Sequence, residues 1–315
     1  MTYAAIDIGT NTFRLLIAEV RPGQDKNIIS FDEICSKRII TRLGEDISEN
    51  GLLNTEVQER GIKALKEFAD LIAEHKTEKV LAIATSALRK AKNSLEFINK
   101  VKDLTDLEIK IITGEKEAWL TAAGMAIDIN RPGPCLMLDI GGGSTELIFT
   151  GDNAAPAVLS LDLGVVYLTD KYMKSDPPSD ADLKLLEYEI SHKLESVICF
   201  LPIPIPEETV FIGTAGTITA LAAAVQRLER YDHERIHNFK LNMTDVNRMY
   251  CELSRATTSE KSKFLPFEPS RLDIIVPGTL ILLKLMQITK FYNITVSNYG
   301  LLEGILAELY IRSKE

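Results

Sequence analysis

A chain of 315 residues is long enough for about two domains, each with its own core, and 45% hydrophobic with 26% charged residues is an ordinary globular balance. Lys+Arg 36 against Asp+Glu 45 gives a formal charge of −9, which argues against a nucleic-acid or anionic-membrane binder. No apolar run approaches the roughly 20 residues of a membrane span and the N-terminus enters a strand directly, so a cytoplasmic protein is expected.

The first element is an apolar run from Tyr3 that ends in Asp7-Ile8-Gly9, passes through Thr10, Asn11 and Thr12, and resumes at Phe13 with Arg14 inside it. Strand, glycine and hydroxyl turn, strand is the reading. Ile28–Ile40 reads as more strand. Thr55–Lys76 reads as an amphipathic helix with Val57, Ile62, Leu65, Phe68, Ala69 and Ile72 on one face. Val80–Ala84 is a short buried strand feeding a helix, which places Ser86 and Arg89 near the carboxyl end of a strand, where open α/β sheets bind ligands. Arg14 and the clusters Lys37-Arg38…Arg42 and Arg89-Lys90…Lys92 are the local positive charge available to draw a polyanion to an acidic protein. Solvated surface is the plainer reading of the clusters.

Leu107–Ile112 is again strand-like, and Gly114 leads into a helix reaching Ile127. Glu117 stands three residues after Gly114, so on spacing alone it is a first-turn Glu behind a glycine cap, favoured by the helix dipole. Asn130–Pro134 is a Pro/Gly-rich break and the natural domain boundary.

The second half opens by repeating the first hairpin: an apolar run ends in Asp139, passes through Gly141, Gly142, Gly143, Ser144 and Thr145, and resumes at Glu146. Successive glycines leave backbone N–H groups uncovered and able to adopt φ > 0, which is how a chain wraps an anion. Ser144 and Thr145 add hydroxyl donors, and Asp139 and Glu146 are carboxylates able to hold the cation that a bound polyphosphate needs. A plain hairpin explains either copy alone, but the same hydroxyl-rich turn twice points to a duplicated chain. A third strand near Ala157–Leu161 and a helix over Asp180–Cys199 follow. Then Val210–Ile212 feeds Gly213-Thr214-Ala215-Gly216-Thr217 and a helix over Ile218–Arg230, an anion site by geometry or an ordinary helix cap. Pro177-Pro178 and Leu201–Pro206 are linkers, and His233 and His237 lack partners at metal-ligand spacing and read as loop. Strand-like Leu272–Ile275, a helix over Gly278–Tyr292, a strand over Ile294–Ser297 and a helix over Leu301–Ser313 complete the alternation. Cys35, Cys135, Cys199 and Cys251 are far apart, so buried thiols are expected instead of disulfides or zinc.

The three turns, in this order, resemble the phosphate-binding segments of the acetate and sugar kinase, heat-shock and actin superfamily. Together with Ala84-Thr-Ser-Ala-Leu-Arg89, Gly114-Glu-Lys-Glu117, Leu163-Gly-Val-Val166, Tyr231-Asp…Ile236-His237, Arg271-Leu-Asp-Ile-Ile…Pro277-Gly and Ser297-Asn-Tyr-Gly300-Leu, the chain resembles the exopolyphosphatase and guanosine pentaphosphate phosphohydrolase family over essentially its whole length. The resemblance implies an α/β fold of two ribonuclease-H-like (actin-like ATPase) domains with mixed sheets flanked by helices, facing across a cleft. The domains would be residues 1–128 and 129–300, with the C-terminal helix at about 301–315 packing back onto the first.

It further implies Glu117 as the catalytic glutamate, with Glu115 the next acid to consider. Asp139 and Glu146, with Asp7 from the first hairpin, become ligands for Mg2+ or another divalent cation. Gly9, Thr10, Asn11, Thr12, Arg14, Arg89, Gly141, Gly142, Gly143, Ser144, Thr145, Gly213, Thr214 and Arg271 become the phosphate-binding set. The implied reaction releases terminal orthophosphate from inorganic polyphosphate or guanosine pentaphosphate through water activated by Glu117, with no nucleic-acid or membrane partner and a homodimer left open. Two alternatives stay open on sequence alone: an ATP-dependent small-molecule kinase of the superfamily, and a non-catalytic sensor of guanosine tetraphosphate or pentaphosphate. Three positions depart from the family pattern: Lys116 replaces a Glu, Tyr167 an Arg, and Leu302 an Arg. With the sequence stopping at 315, the extra C-terminal module of longer members is expected to be absent.

Overall fold

The computed structural model describes residues 1–23, 29–45, 47, 51–127, 133–151, 156–202 and 204–314. The described chain divides into two compact units, Met1–Asn130 with Tyr299–Glu315, and Arg131–Asn298. Part of the Asn130–Pro134 break, the first residue of the Ile28–Ile40 run, one residue of the Leu201–Pro206 run and the expected boundary at 128/129 lie outside the described residues.

The first unit is built on a five-stranded sheet in the order β3-β2-β1-β4-β5, formed by β1 (Thr2–Ile8), β2 (Thr12–Pro22), β3 (Ile29–Ile40), β4 (Lys79–Ala84) and β5 (Ile109–Ile111). The first three strands form an antiparallel meander, while β4 and β5 run parallel to β1 after helical crossovers. Strand β1 is covered on both faces, which is why Tyr3–Ile8 reads as a continuous apolar run instead of an alternating one. Ala4, Ile6, Ile8, Phe13 and Leu15 pack under the helices Thr55–Glu74 and Ser94–Thr105 through Val57, Leu65, Phe68, Phe97 and Val101. Tyr3, Ala5, Leu16 and Ala18 pack on the opposite face against Leu120 of the helix Gly114–Ala126 and Leu301, Ile305 and Leu306 of the helix Leu301–Arg312.

The second unit repeats the plan with six strands in the order β10-β11-β9-β6-β7-β8, formed by β6 (Cys135–Ile140), β7 (Thr145–Thr150), β8 (Ala157–Leu161), β9 (Val210–Thr214), β10 (Lys240–Asn242) and β11 (Asn293–Val296). Again an antiparallel meander, β6-β7-β8, carries parallel strands on the far side of its first member, with β10 as an antiparallel edge. Both sheets therefore have the mixed, helix-flanked α/β arrangement expected of the fold class. No helix among the described residues is long and apolar enough to cross a membrane.

Three local expectations are corrected. Leu272–Ile275 is not a strand: the backbone turns after a 3-10 segment at Pro269–Arg271, and a buried helix runs Ile275–Thr289. Pro277 sits inside its first turn, where a missing N–H costs nothing because those donors have no intrahelical acceptor. The cap of the helix Gly114–Ala126 is Thr113, whose side chain accepts from Lys116 N, so Glu117 lies one position too far along to belong to the cap. Of the four thiols only Cys135 is buried; Cys35 is intermediate and Cys199 and Cys251 are exposed on helices.

The helix carrying Glu117 is fixed by an unusually close crossing with the C-terminal helix. A Cβ placed on Gly304 would lie 1.8 Å from Leu120 O, so backbone meets backbone there and no larger residue fits. Lys116 Nζ bonds both carboxylate oxygens of Glu308 at 3.0 and 2.9 Å across the same contact. We predict that Gly304→Ala loses about 1–3 kcal/mol of stability in urea unfolding. Gly151→Ala, whose added methyl meets, among the described residues, only a Phe149 ring carbon at 3.6 Å, should stay within about 0.5 kcal/mol of the parent. Equal losses in both would contradict this account of the crossing.

Candidate active site

The two hairpins close in the same way. Gly9 N donates to Thr12 O at 3.2 Å and Gly141 N to Ser144 O at 2.9 Å. A Cβ at Gly9 or Gly141 would come within 2.8 or 3.0 Å of that same carbonyl oxygen. These glycines are thus required by close backbone approach. Positive φ, expected from the glycine run, is found at none of Gly9, Gly141, Gly142 or Gly143.

In the first turn Thr10, Asn11 and Thr12 are backed by the segment after β3: Gly44 N donates to Thr10 O, and Thr41 N and Arg42 N both donate to Asn11 O. At the strand ends Asp7 faces Arg14 in the antiparallel register. Arg14 places Nε at 3.1 Å and Nη2 at 2.9 Å from Asp7 Oδ2. Burial raises the Asp7 carboxyl above its ordinary value, opposed by the charge and hydrogen bonds of Arg14.

Arg89 and Glu117, predicted from separate stretches, are brought together. The short helix Ser86–Lys90 that follows β4 aims Arg89 at the end of β5, where its Nη1 donates to Ile112 O at 2.8 Å and to Glu117 Oε2 at 3.1 Å. The Glu117 side chain is 11% exposed and that of Arg89 25%, so the pair is only partly open to water.

The second hairpin differs from the first at one position. Its register sets Asp139 opposite Glu146, where the first has Asp7 opposite Arg14. Both acids are buried, at 8% and 1% exposure, and Glu146 Oε1 accepts from Ser160 Oγ at 2.9 Å. Two carboxylates directly opposed on neighbouring strands repel unless a cation lies near. Among the described residues no group of three or more His, Cys, Asp or Glu side chains is placed to hold a metal ion. Two acids beside a glycine turn fit a magnesium-like ion, which takes one or two carboxylates and completes its shell with water and phosphate oxygens. Ser144 is buried next to this pair in sequence, while Thr145 commits its hydroxyl to Leu163 O at 2.6 Å and holds the loop behind the turn.

At the third turn Gly213 belongs to β9, under the side chains of Ile218 and Ile294, so the turn proper is Thr214-Ala215-Gly216 at the start of the helix Ala215–Val225. Ala215 has φ 70, a left-handed conformation that costs a non-glycine residue roughly 1–2 kcal/mol and tends to persist at functional sites. Arg271 lies across this turn: a Cβ on Gly216 would be 1.8 Å from its Cζ. Glu268, 3% exposed, holds the guanidinium from behind with Oε2 at 3.4 Å from Nε. Glu268 was missed in the sequence; its only signal is the three-residue spacing to Arg271. His233 and His237, expected in a loop, instead open and cap the short helix His233–Ile236; their rings stack at 5.9 Å between centroids, and His237 Nδ1 accepts from Asn298 N.

The sequence profile of the Ppx/GppA phosphatase family matches residues 16–312. The chain is 30% identical over 316 residues to exopolyphosphatase 2 of Mycobacterium tuberculosis, across 97% of this chain and 98% of that one. It is 26% identical over 313 residues to a guanosine-5'-triphosphate,3'-diphosphate pyrophosphatase of Pseudoalteromonas atlantica, across 96% of this chain and 58% of that one. A crystal structure of the Aquifex aeolicus member of the Ppx/GppA protein family matches with a TM-score of 0.83 and 32% identity, covering 100% of this chain and 99% of that one. Repeated hairpins, arginine-held acids and these matches along the whole chain lead to one conclusion: the protein belongs to the Ppx/GppA phosphatase family.

Proposed function

We propose that the protein hydrolyses phosphoanhydrides, releasing terminal orthophosphate from inorganic polyphosphate and from guanosine pentaphosphate. Relatives named exopolyphosphatase and guanosine-5'-triphosphate,3'-diphosphate pyrophosphatase support the substrate class. Membership of a phosphatase family weighs against the kinase alternative, and the paired Arg89 and Glu117 weigh against a mere sensor. The observation that carries the reading is Asp139 facing Glu146 at the mouth of a glycine turn.

In this reading Glu117 is the proton acceptor. Water attacks the terminal phosphorus in line, its proton passes to Glu117 Oε, and the bond to the bridging oxygen breaks, leaving the shortened chain with that oxygen's electron pair. A phosphate leaving group carries this charge without an acid partner. A phosphate that draws the Arg89 guanidinium toward itself also frees Glu117 from its ion pair, so substrate binding would unmask the base. When bound, a divalent cation such as Mg2+, held by Asp139 and Glu146, would offset charge on the phosphoryl oxygens. Asp7, the third acid of the expected set, has its Oδ2 on Arg14 and contributes in this reading through that guanidinium. Arg14 and Arg271 grip phosphate oxygens, and backbone amides of the three turns supply further donors.

Glu117→Gln removes the proton acceptor and keeps the side chain's size. We expect kcat to fall by roughly 10²–10⁴-fold while thermal melting and substrate binding persist. Because Thr113 and not Glu117 caps the helix, no capping loss clouds the result. Near-normal kcat in the folded variant would refute the assignment and turn attention to Glu115.

Gly216→Ala tests Arg271 without touching it. Alanine is the better helix residue by about 1 kcal/mol, so stability should hold, but the methyl must displace the guanidinium. We expect KM to rise about tenfold, the worth of roughly one charge-assisted phosphate contact, with a smaller change in kcat. An unchanged KM would remove Arg271 from the phosphate-binding set.

A further inference from the structure

The helix Val165–Tyr172 starts directly on the second glycine turn, with Val165 N donating to Gly141 O at 3.1 Å and Val166 N to Gly142 O at 2.9 Å. Any group this helix presents is therefore fixed relative to the turn. Lys171 lies ~9 Å along the axis from Val165, but helical side chains lean toward the N-terminus, and its ammonium comes back to the level of Tyr167. Lys171 Nζ donates to Tyr167 Oη at 2.9 Å and stands 5.3 Å from the Tyr167 ring centroid and 5.0 Å from that of Tyr172. Both rings pack against the core of the unit, so the seat is rigid although the ammonium itself is exposed.

This cation makes no direct ion pair among the described residues, and the acid beside the cluster, Glu189, accepts a hydrogen bond from the Tyr172 hydroxyl instead. Among the described residues no carboxylate lies within ion-pair distance of Lys171, whereas Lys116, Lys284 and Lys102 each have one. Aromatic faces favour an ammonium by about 0.5–1 kcal/mol at exposed sites without neutralising it. Hydrogen bonds to Tyr167 and then Tyr172 hold its pKa above the ordinary lysine value, so it is a full cation across the neutral range. In a chain of net charge −9, a preorganised cation with no direct ion pair, on a helix that starts at the glycine turn, is a specific feature.

We propose that Lys171, carried by Tyr167 and Tyr172, is a seat for a phosphate group of the substrate beyond the one under attack. The inference rests on the hydrolase reading above and adds a subsite to it. The shared chemistry is a distal phosphate, supplied either by the body of a polyphosphate chain or by the second phosphorylated position of the nucleotide. The seat acts in ground and transition states alike, so it governs KM and not kcat.

The test compares Lys171→Ala, Tyr167→Phe and the double variant Tyr167→Arg/Lys171→Ala on tripolyphosphate, long-chain polyphosphate and guanosine pentaphosphate. Lys171→Ala should raise KM about fivefold for substrates with a distal phosphate in reach, with kcat unchanged and the effect lost at high salt. Tripolyphosphate, the shortest substrate, should be least affected; comparing the two larger substrates tells which distal phosphate uses the seat. Tyr167→Phe keeps the ring but loses the hydroxyl and should give part of the effect, and the double variant should recover affinity. Equal KM for parent and folded Lys171→Ala on all three substrates would overturn the proposal, as would an equal rise on all three. Failure of the hydrolase reading would show differently, as no phosphate release by the parent. Calorimetric affinities for the same substrates would then decide the seat: a weaker long-chain or nucleotide affinity in Lys171→Ala supports it, and equal affinity overturns it.

Discussion

The organising constraint is the residue that faces the aspartate at the end of each hairpin. Strand, turn and register are the same in both copies, and the close glycine contact that shapes each turn is the same. Only the partner differs: a guanidinium answers Asp7, and a carboxylate confronts Asp139. The first copy therefore carries its own cation. The second sets two acidic side chains face to face in a buried position, where, in the proposed reading, a cation from outside the chain would be held. A repeated frame differs in charge at this one position, and in the proposed reading that difference separates a phosphate-gripping turn from a cation-binding one.

The arginines follow a second rule: each is held by a carboxylate of its own unit. Arg14 rests on Asp7, Arg89 on Glu117 and Arg271 on Glu268. A guanidinium already paired is ordered before the substrate arrives, so less side-chain entropy is lost on binding. The three acids differ in consequence. Glu268 is nearly sealed and fixes Arg271 over Gly216. In the proposed reading Glu117 is the one acid of the three whose release has chemical use, because it would then be free to take a proton from water. The tight crossing at Gly304 and the Lys116–Glu308 bridge hold the helix that presents it, so Lys116 serves packing.

Much of this was legible in the sequence because it is local. Asp7-Ile8-Gly9 and Asp139-Ile140-Gly141 mark turns whose chemistry is set within a few residues, and the two-fold repeat of strand and helix follows from apolar periodicity. What could not be read is set by backbone contact or register. Spacing from Gly114 made Glu117 look like a cap residue, and only the position of Thr113 shows that it is not. Glycines chosen for close approach are indistinguishable in sequence from glycines chosen for positive φ. Leu272–Ile275 looks like a strand because it is apolar, but it leads into a largely buried, mostly apolar helix that begins at Ile275. The Arg89–Glu117 pair joins residues far apart in sequence, and Lys171 has meaning only once Tyr167 is seen beneath it.

The most direct test of the central claim is the divalent-cation dependence of phosphate release with Glu146→Gln beside the parent. If the opposed acids hold the cation, the parent should require Mg2+, and the variant should need at least about tenfold more of it for half-maximal rate, since a hard ion loses one of two carboxylates. Melting should stay at or above the parent value in the absence of Mg2+, because a buried like-charge pair has been relieved. An unchanged Mg2+ requirement in a folded Glu146→Gln protein would contradict the account.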